Sequence, residues 1–222
     1  MRALEHNVPA RPRSFLSTFF ASLRCAFLIS IAGLAFCLSP LRAQEIAVTL
    51  DPATTKIDFT LAATMHTVHG TLKLKSGQIH FDAATGKASG AIVVDATSAD
   101  TANGSRDKKM HGEILESAKF PEIIFTPKQI TGSLKELLAQ QGTAQVEVSG
   151  SFRLHGQDHD ATLTISVEPG AAGHVRASTK FPVPYVKWGL KDPSTFILHV
   201  SDTVDVEVQA AGQIAPATPS AH

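Results

Sequence analysis

Cysteine is nearly absent from this 222-residue chain, and the two that occur, Cys25 and Cys37, both fall within its first 43 residues. Those residues run from a basic stretch through an uncharged apolar segment to Ala43, which is the order of regions in a secretory signal peptide. We therefore expect cleavage between Ala43 and Gln44, and a periplasmic or secreted mature protein. The apolar segment is short for a transmembrane span, so an uncleaved amino-terminal anchor is the minor alternative.

The mature chain would then contain no thiol at all. This excludes cysteine nucleophiles and thiolate metal sites. An excess of basic residues is also lacking, because removing residues 1–43 takes five Arg and one Glu from totals of 20 and 20 and leaves 15 basic and 19 acidic residues. A nucleic acid partner is therefore not expected, since backbone binding needs a basic patch.

Helical patterns are scarce too, because apolar residues recur at every second position in eight stretches between Ile57 and Val208. In the first stretch, Ile57, Phe59 and Leu61 alternate with polar residues. Period two predicts strands with one apolar face, and too little helix remains to cover that face. We therefore predict an all-β fold, an antiparallel barrel of about eight strands with one short amphipathic helix. Such a barrel is either filled by its own side chains or open to one apolar ligand.

One domain from residue 44 to 212 is the simplest organisation. Residues 213–222 are rich in Ala, Pro, Thr and Ser and are predicted to be a disordered tail. Turn residues recur at regular spacing, which favours sequential hairpins. The predicted turns are Asp51-Pro52, Ser76-Gly77, Thr85-Gly86, Gln141-Gly142, His155-Gly156 and Pro169-Gly170.

The predicted amphipathic helix covers residues 105–118, where Met110 and Ile114 share one face. Ser105 is the predicted N-cap. Asp107 falls in the first turn, where the helix dipole favours a negative charge. We expect Lys109 on another face of this helix.

Two further segments are predicted to lie at barrel ends. Leu134, Leu137 and Leu138 form a weaker helical pattern, either a surface turn or a flap over one end. Residues 181–190 contain the only Trp and the only Tyr, and two prolines interrupt strand pairing there. Trp188 is then either a structural plug or part of an amphipathic rim at a ligand entrance.

The histidines invite a metal hypothesis. His66 and His69 would point to opposite faces of a strand, His66 inward, so they cannot chelate one ion. His155, Asp158 and His159 cluster at a predicted turn, although polar turns also collect such residues for solvation. We expect no metal and no other cofactor.

Four segments together resemble the YceI-like family of exported bacterial lipid-binding proteins, and they follow the family's order along most of the mature chain. They are Thr67-Val68-His69-Gly70-Thr71-Leu72, the run from Arg106-Asp107 through Met110 and Leu115 to Phe120-Pro121-Glu122-Ile123-Ile124-Phe125, Gly150-Ser151-Phe152-Arg153-Leu154-His155-Gly156, and Trp188-Gly189 with Pro193-Ser194.

The resemblance implies an extended lipocalin-like barrel whose pore holds a long isoprenoid chain, a quinone tail or a similar lipid without catalysis. Membrane contact during ligand exchange is compatible with this function, and the oligomeric state stays open. Carried over by position, the pore residues are Phe59, Val68, Leu72, Ile79, Phe81, Ile123, Phe125, Phe152, Leu163, Ile165 and Phe181, with Met110 and Ile114 on the helix side and Trp188 at the rim.

Three functions therefore compete at this point. A non-catalytic carrier of an apolar chain needs a void in the barrel. A metal-assisted hydrolase needs His155, Asp158 and His159 to converge on one ion. A structural β module needs neither, because its core would be filled.

Overall fold

The computed structural model describes residues 45–64, 66–139 and 142–216, so the predicted signal peptide lies outside the described residues. Strands dominate this part of the chain, as the alternating pattern predicts. Their bounds are β1 Glu45–Leu50, β2 Lys56–Ala62, β3 Thr67–Asp82, β4 Ala88–Asp100, β5 Glu122–Gly132, β6 Ala144–Leu154, β7 Gln157–Pro169, β8 His174–Val183 and β9 Val204–Pro216.

These strands form one closed antiparallel barrel. Each strand from β2 to β9 pairs with the next along the chain, and β9 pairs back onto β2, from Lys56 opposite Gln209 to Thr60 opposite Asp205. Eight positions around the barrel result, which confirms the predicted fold class. Closure removes the unpaired sheet edges that an open arrangement would expose.

The additional strand β1 shares one barrel position with β2. Both lie between β3 and β9, with Val48 opposite Ile79 and Ile214. A turn at Asp51 separates them, where the carboxylate accepts hydrogen bonds from Ala53 N at 2.9 Å and Thr54 Oγ1 at 2.8 Å. The two segments therefore act as one interrupted strand.

Pairing with β1 also changes the carboxyl-terminal boundary. Residues 213–216, which the composition assigns to the tail, belong to β9 and pair with β1. Within this segment, Ile214 lies opposite Val48 of β1, so an apolar pair links the two strands. Residues 217–222 lie outside the described residues.

The turn predicted at Ser76-Gly77 is wrong, because both residues lie within β3. The register between β3 and β4 shifts between Leu74 and Ser76, which marks a β-bulge. A Cβ at Gly77 would lie 2.8 Å from Leu50 Cδ1, so this glycine permits close packing instead of a chain reversal.

The end of the barrel that carries residues 63–64, 66, 101–121, 155–156 and 184–203 is called the helical end here. Its helix α1 spans Gly104–Lys109 and continues as a π-helical turn, Met110–Ile114. The helix is therefore shorter than predicted. Its N-cap is Asn103, not Ser105, and the Asn103 side chain accepts a hydrogen bond from Arg106 N at 3.1 Å.

The opposite end, called the flap end, carries residues 83–87, 133–139, 142–143 and 170–173. Helix α2, Leu134–Leu138, lies there, so of the two alternatives left by its weak helical pattern the structure has the flap. Leu137 is 6% exposed and belongs to a buried cluster with Ile46, Ile130 and Ala144. This cluster closes the flap end with apolar side chains.

An inward-facing glycine in β6 provides a test of how tightly the wall is packed. A Cβ at Gly150 would clash with the backbone oxygen of Thr126 on β5 and lie 3.0 Å from Phe125 Cζ, whereas a Cβ at Gly112 in the π-helical turn would meet open space. We expect Gly150→Ala to lower the free energy of unfolding by about 1–3 kcal/mol through overpacking. Gly112→Ala should raise it by about 0.4–1 kcal/mol by restricting the unfolded chain. Urea denaturation measures both, and equal effects of the two substitutions would contradict this packing.

Asp107 generates a second prediction. Its carboxylate accepts hydrogen bonds from Thr101 Oγ1 at 2.5 Å and Thr101 N at 3.0 Å, and the Thr101 hydroxyl is the main cause that lowers the pKa of Asp107 below 3.8. A lowered pKa stabilises the fold above the ordinary carboxyl pKa, and this contribution is lost as the pH falls through the lowered value. Asp107→Asn should therefore lower the melting temperature at neutral pH. The difference from the parent should shrink progressively below pH 3.8; a pH-independent difference would contradict this assignment.

Candidate functional site

The barrel encloses a cavity of about 520 Å³. This volume lies within the range of roughly 300–1,000 Å³ that is typical of small-molecule sites. Its wall is built by the inward positions of the strands, because alternate side chains of a strand point to the same face. The described interior is therefore not completely filled by its own side chains, as a structural β module would require.

Almost all of the pore residues carried over from the family resemblance line this cavity. They are Phe59, Val68, Leu72, Ile79, Phe81, Met110, Ile114, Ile123, Phe125, Phe152, Leu163, Ile165 and Phe181. The wall is overwhelmingly apolar. Such a surface favours burial of hydrocarbon over recognition of a polar molecule.

Trp188 is the exception, because it is not among the residues that line the cavity. Its ring stacks on His159, with ring centroids 4.4 Å apart and an angle of 2° between the planes, and contacts Phe152 at 5.4 Å. Trp188 does lie at a barrel end, as expected. It covers β6 and β7 there instead of forming part of the pore wall.

The proposed hydrolytic cluster does not converge. His155 Nε2 lies 2.5 Å from Glu116 Oε2. Asp158 forms a bidentate ion pair with Arg153, and His159 stacks on Trp188. The His155-Gly156 turn and the strand alternation point these side chains in different directions. Among the described residues, no group of three His, Cys, Asp or Glu side chains is placed to hold a metal ion.

His66 and His69 separate as the strand parity predicts. His66 lines the cavity at the helical end. His69 faces outward, with its Nδ1 atom 3.3 Å from Thr60 Oγ1 on β2. The two rings cannot share a ligand.

The charged residues among those lining the described cavity are Arg106 and Lys109, both on α1. Arg106 donates from Nε to Thr101 Oγ1 at 2.8 Å and from Nη2 to Thr101 O at 2.9 Å, which holds its guanidinium at the helical end. The wall position of Lys109 corrects the expectation that it faces elsewhere. The polar groups of the cavity thus include a basic pair at one end.

The connection from β8 to β9 contributes residues that the alternating pattern could not identify. Tyr185 and Leu190 are buried, line the cavity and belong to one apolar cluster with Leu154 and Val183. The Tyr185 hydroxyl donates to Ser201 O at 2.8 Å, and burial raises the pKa of Tyr185 to about 12. This tyrosine therefore stays neutral and acts as a structural anchor of the connection.

The helix α1 and its continuation cover the helical end through several polar contacts. His111 bridges Ala99 O at 2.8 Å and Ser117 Oγ at 2.9 Å. Glu113 pairs with Lys191 at 2.5 Å, which joins this helical segment to the β8–β9 connection. Met110 and Ile114 are thereby held against the cavity.

No helix within residues 45–64, 66–139 and 142–216 is long and apolar enough to cross a membrane. Comparison with curated proteins finds no match for this chain. Its structure is similar to that of a polyisoprenoid-binding domain from Saccharophagus degradans implicated in plant cell wall breakdown, with 16% sequence identity and a TM-score of 0.55, covering 76% of this chain and 98% of that chain.

A second similar structure is BcnA from Burkholderia cenocepacia, with 15% identity and a TM-score of 0.55, covering 75% of this chain and 99% of the other. At these identities the likeness concerns the fold alone. The model of the YceI-like domain matches residues 48–211, which run from within β1 to within β9. Because this match spans well over half of the chain, the protein belongs to the YceI-like domain family.

Proposed function

We propose that this protein is a non-catalytic carrier that holds a long isoprenoid or similar lipid chain inside its barrel. The observation that carries this proposal is the apolar cavity of about 520 Å³ behind a flap end closed by Leu137 and its neighbours. The polyisoprenoid-binding domain with a similar fold supports the same ligand class.

The physical basis of binding is the burial of hydrocarbon. Each CH₂ removed from water contributes about 0.8 kcal/mol, so a long chain can bind with few polar contacts. The term is non-directional and tolerates different chain positions along the wall. Rings such as Phe125 and Phe152, whose centroids lie 6.4 Å apart, offer a large apolar surface for these contacts.

A non-catalytic role is supported by the separate partners of His155, Asp158 and His159. A hydrolase would need a nucleophile, a base and a charge-stabilising group around one reacting atom. These three side chains are instead used in a hydrogen bond with Glu116, an ion pair with Arg153 and an aromatic stack on Trp188.

We also propose that the protein is exported and exchanges its ligand with a membrane. A lipid chain has its main reservoir in a bilayer, and the signal-peptide pattern of residues 1–43 supports delivery to the periplasm or beyond. The carrier would take up and release its ligand there without chemical change.

Substitution of one wall residue tests the open cavity. Ile123 lines the cavity from β5, whereas Ile124, the next residue, is not among its lining residues and lies on the opposite face. Ile123→Trp should reduce the isoprenoid affinity by about tenfold or more because the indole fills the void. Its destabilisation should stay below the roughly 1–3 kcal/mol expected for overpacking a filled core.

Ile124→Trp is the matched control, since it introduces the same side chain on the same strand. It should leave lipid binding unchanged. The measurements are native mass spectrometry of detergent-free protein, titration with farnesol and thermal unfolding. If the parent protein binds no apolar chain and Ile123→Trp strongly lowers its melting temperature, the carrier proposal fails.

Export is tested by the mass of the mature protein. Expression with the natural amino terminus in a bacterium should yield a periplasmic or secreted form that begins at Gln44. Intact-mass measurement identifies this terminus directly. A membrane-bound form that retains Met1 would instead indicate an uncleaved anchor.

A further inference from the structure

Two large apolar side chains at the helical end have no cover. Among the described residues, the large hydrophobic side chains left exposed are Phe196, which is 100% exposed, and Ile197, which is 84% exposed. They are adjacent in sequence and lie in the connection between β8 and β9. Single exposed apolar residues are ordinary on protein surfaces, but a fully exposed Phe beside an exposed Ile is a candidate contact surface.

The turn that carries these residues is firmly held. Thr195 N donates to Leu198 O at 2.8 Å, and Leu198 N donates to Thr195 Oγ1 at 3.1 Å. Residues 195–198 are called the apolar tip here. The backbone of the tip is therefore closed by its own hydrogen bonds, which present Phe196 and Ile197 outward.

The base of the tip is tied to the β2–β3 turn. Thr64 N and Thr64 Oγ1 both donate to His199 O, at 2.9 and 3.0 Å, and His199 N lies 3.1 Å from Thr64 Oγ1. A β-bridge between Ala63 and Val200 continues this contact. The tip is thus anchored to the barrel itself.

The apolar tip also adjoins the cavity. Leu198, at the end of the tip, lines the cavity, and so do Pro193 and Val200 on either side of it. His66 of the β2–β3 turn lines it as well. Phe196 and Ile197 are therefore separated by only a few residues of the chain from residues that line the cavity. An apolar chain that leaves a bilayer at the tip would have a short path to the cavity wall.

We propose that Phe196 and Ile197 insert into the surface of a lipid bilayer and dock the helical end of the barrel there for ligand exchange. This inference rests on the proposed carrier function and assigns its membrane contact to two residues. Short apolar insertions bind a bilayer surface reversibly, with a strength that scales with the buried apolar area. Reversible docking suits a protein that must leave again with its ligand.

The exposed area favours a bilayer over a second copy of this chain. An aromatic side chain buries about 150–250 Å², so Phe196 and Ile197 together offer on the order of 400 Å². A stable protein interface needs about 800 Å² from each partner. The apolar tip alone is too small for such an interface but sufficient for interfacial insertion.

Flotation with vesicles of phosphatidylethanolamine and phosphatidylglycerol, free of isoprenoid, tests the proposal. The double variant Phe196→Ser/Ile197→Ser should bind these vesicles with an affinity at least about tenfold lower, because both apolar side chains that insert into the bilayer are lost. Farnesol binding in solution should be unchanged, since neither residue lines the cavity. Equal flotation of parent and variant would overturn the proposal.

A depth measurement provides the matched control. In Phe196→Trp, brominated lipids should quench the new tryptophan, whereas Ala84→Trp, an exposed position at the flap end, should show no added quenching. Trp188 contributes the same background to both variants. Equal quenching at the two positions would argue against docking through the tip.

The outcomes separate this inference from the carrier function. Farnesol binding by a parent protein that ignores vesicles would overturn the docking and leave the carrier. Vesicle binding through the tip without uptake of any apolar chain would overturn the carrier and leave a membrane-docking barrel. A parent dimer that the double variant dissociates, with vesicle binding unchanged, would assign the tip to a second copy and overturn the proposal.

Discussion

Closure of the sheet between β2 and β9 is the constraint on which the rest of the molecule depends. Once closed, every inward position of eight strands points at the same axis, and the polar positions point outward. The interior could still have been filled. Phe59 shows one way in which space is left, because a Cβ at Gly70, its partner on β3, would clash with the Phe59 ring and lie 2.6 Å from its Cε1 atom. The ring therefore lies against the wall over a glycine, and space remains along the axis.

The two ends of this cavity differ in chemistry. At the flap end, Leu137 packs into a buried apolar cluster. At the helical end, Arg106, Lys109 and His66 bring polar groups to the lining. A chain bound in the barrel would therefore meet apolar contacts at one end and hydrogen-bonding or charged groups at the other. That polarity suits a molecule with a long hydrocarbon tail and one polar head.

Strand parity explains why so much of the wall could be predicted from sequence. Ile123 and Phe125 lie two residues apart on β5, and their shared face follows from alternation alone. The same rule could not locate Trp188, because it lies in an irregular connection whose path depends on tertiary contacts with His159. It also could not distinguish a strand that continues through Gly77, next to the bulge between Leu74 and Ser76, from a turn at Ser76-Gly77, since glycine serves both.

The boundaries escaped prediction for a related reason. Residues 213–216 have the composition of a tail and become a strand only because β1 lies beside them. Asn103 and Ser105 are both good N-caps, and the choice between them is decided by the contacts of Asp107 and Arg106 with Thr101. Local propensity narrows such choices, whereas distant contacts decide them.

The connection between β8 and β9 contributes both to the inner wall of the closed barrel and to its outer surface. Tyr185 and Leu190 complete the inner wall, Trp188 covers the barrel end, and Phe196 and Ile197 project from the tip. Long connections in compact folds are usually functional. A regular strand of this barrel faces the cavity with alternate residues and cannot also project beyond the barrel end. This single segment does both, with residues that the alternating pattern does not encode.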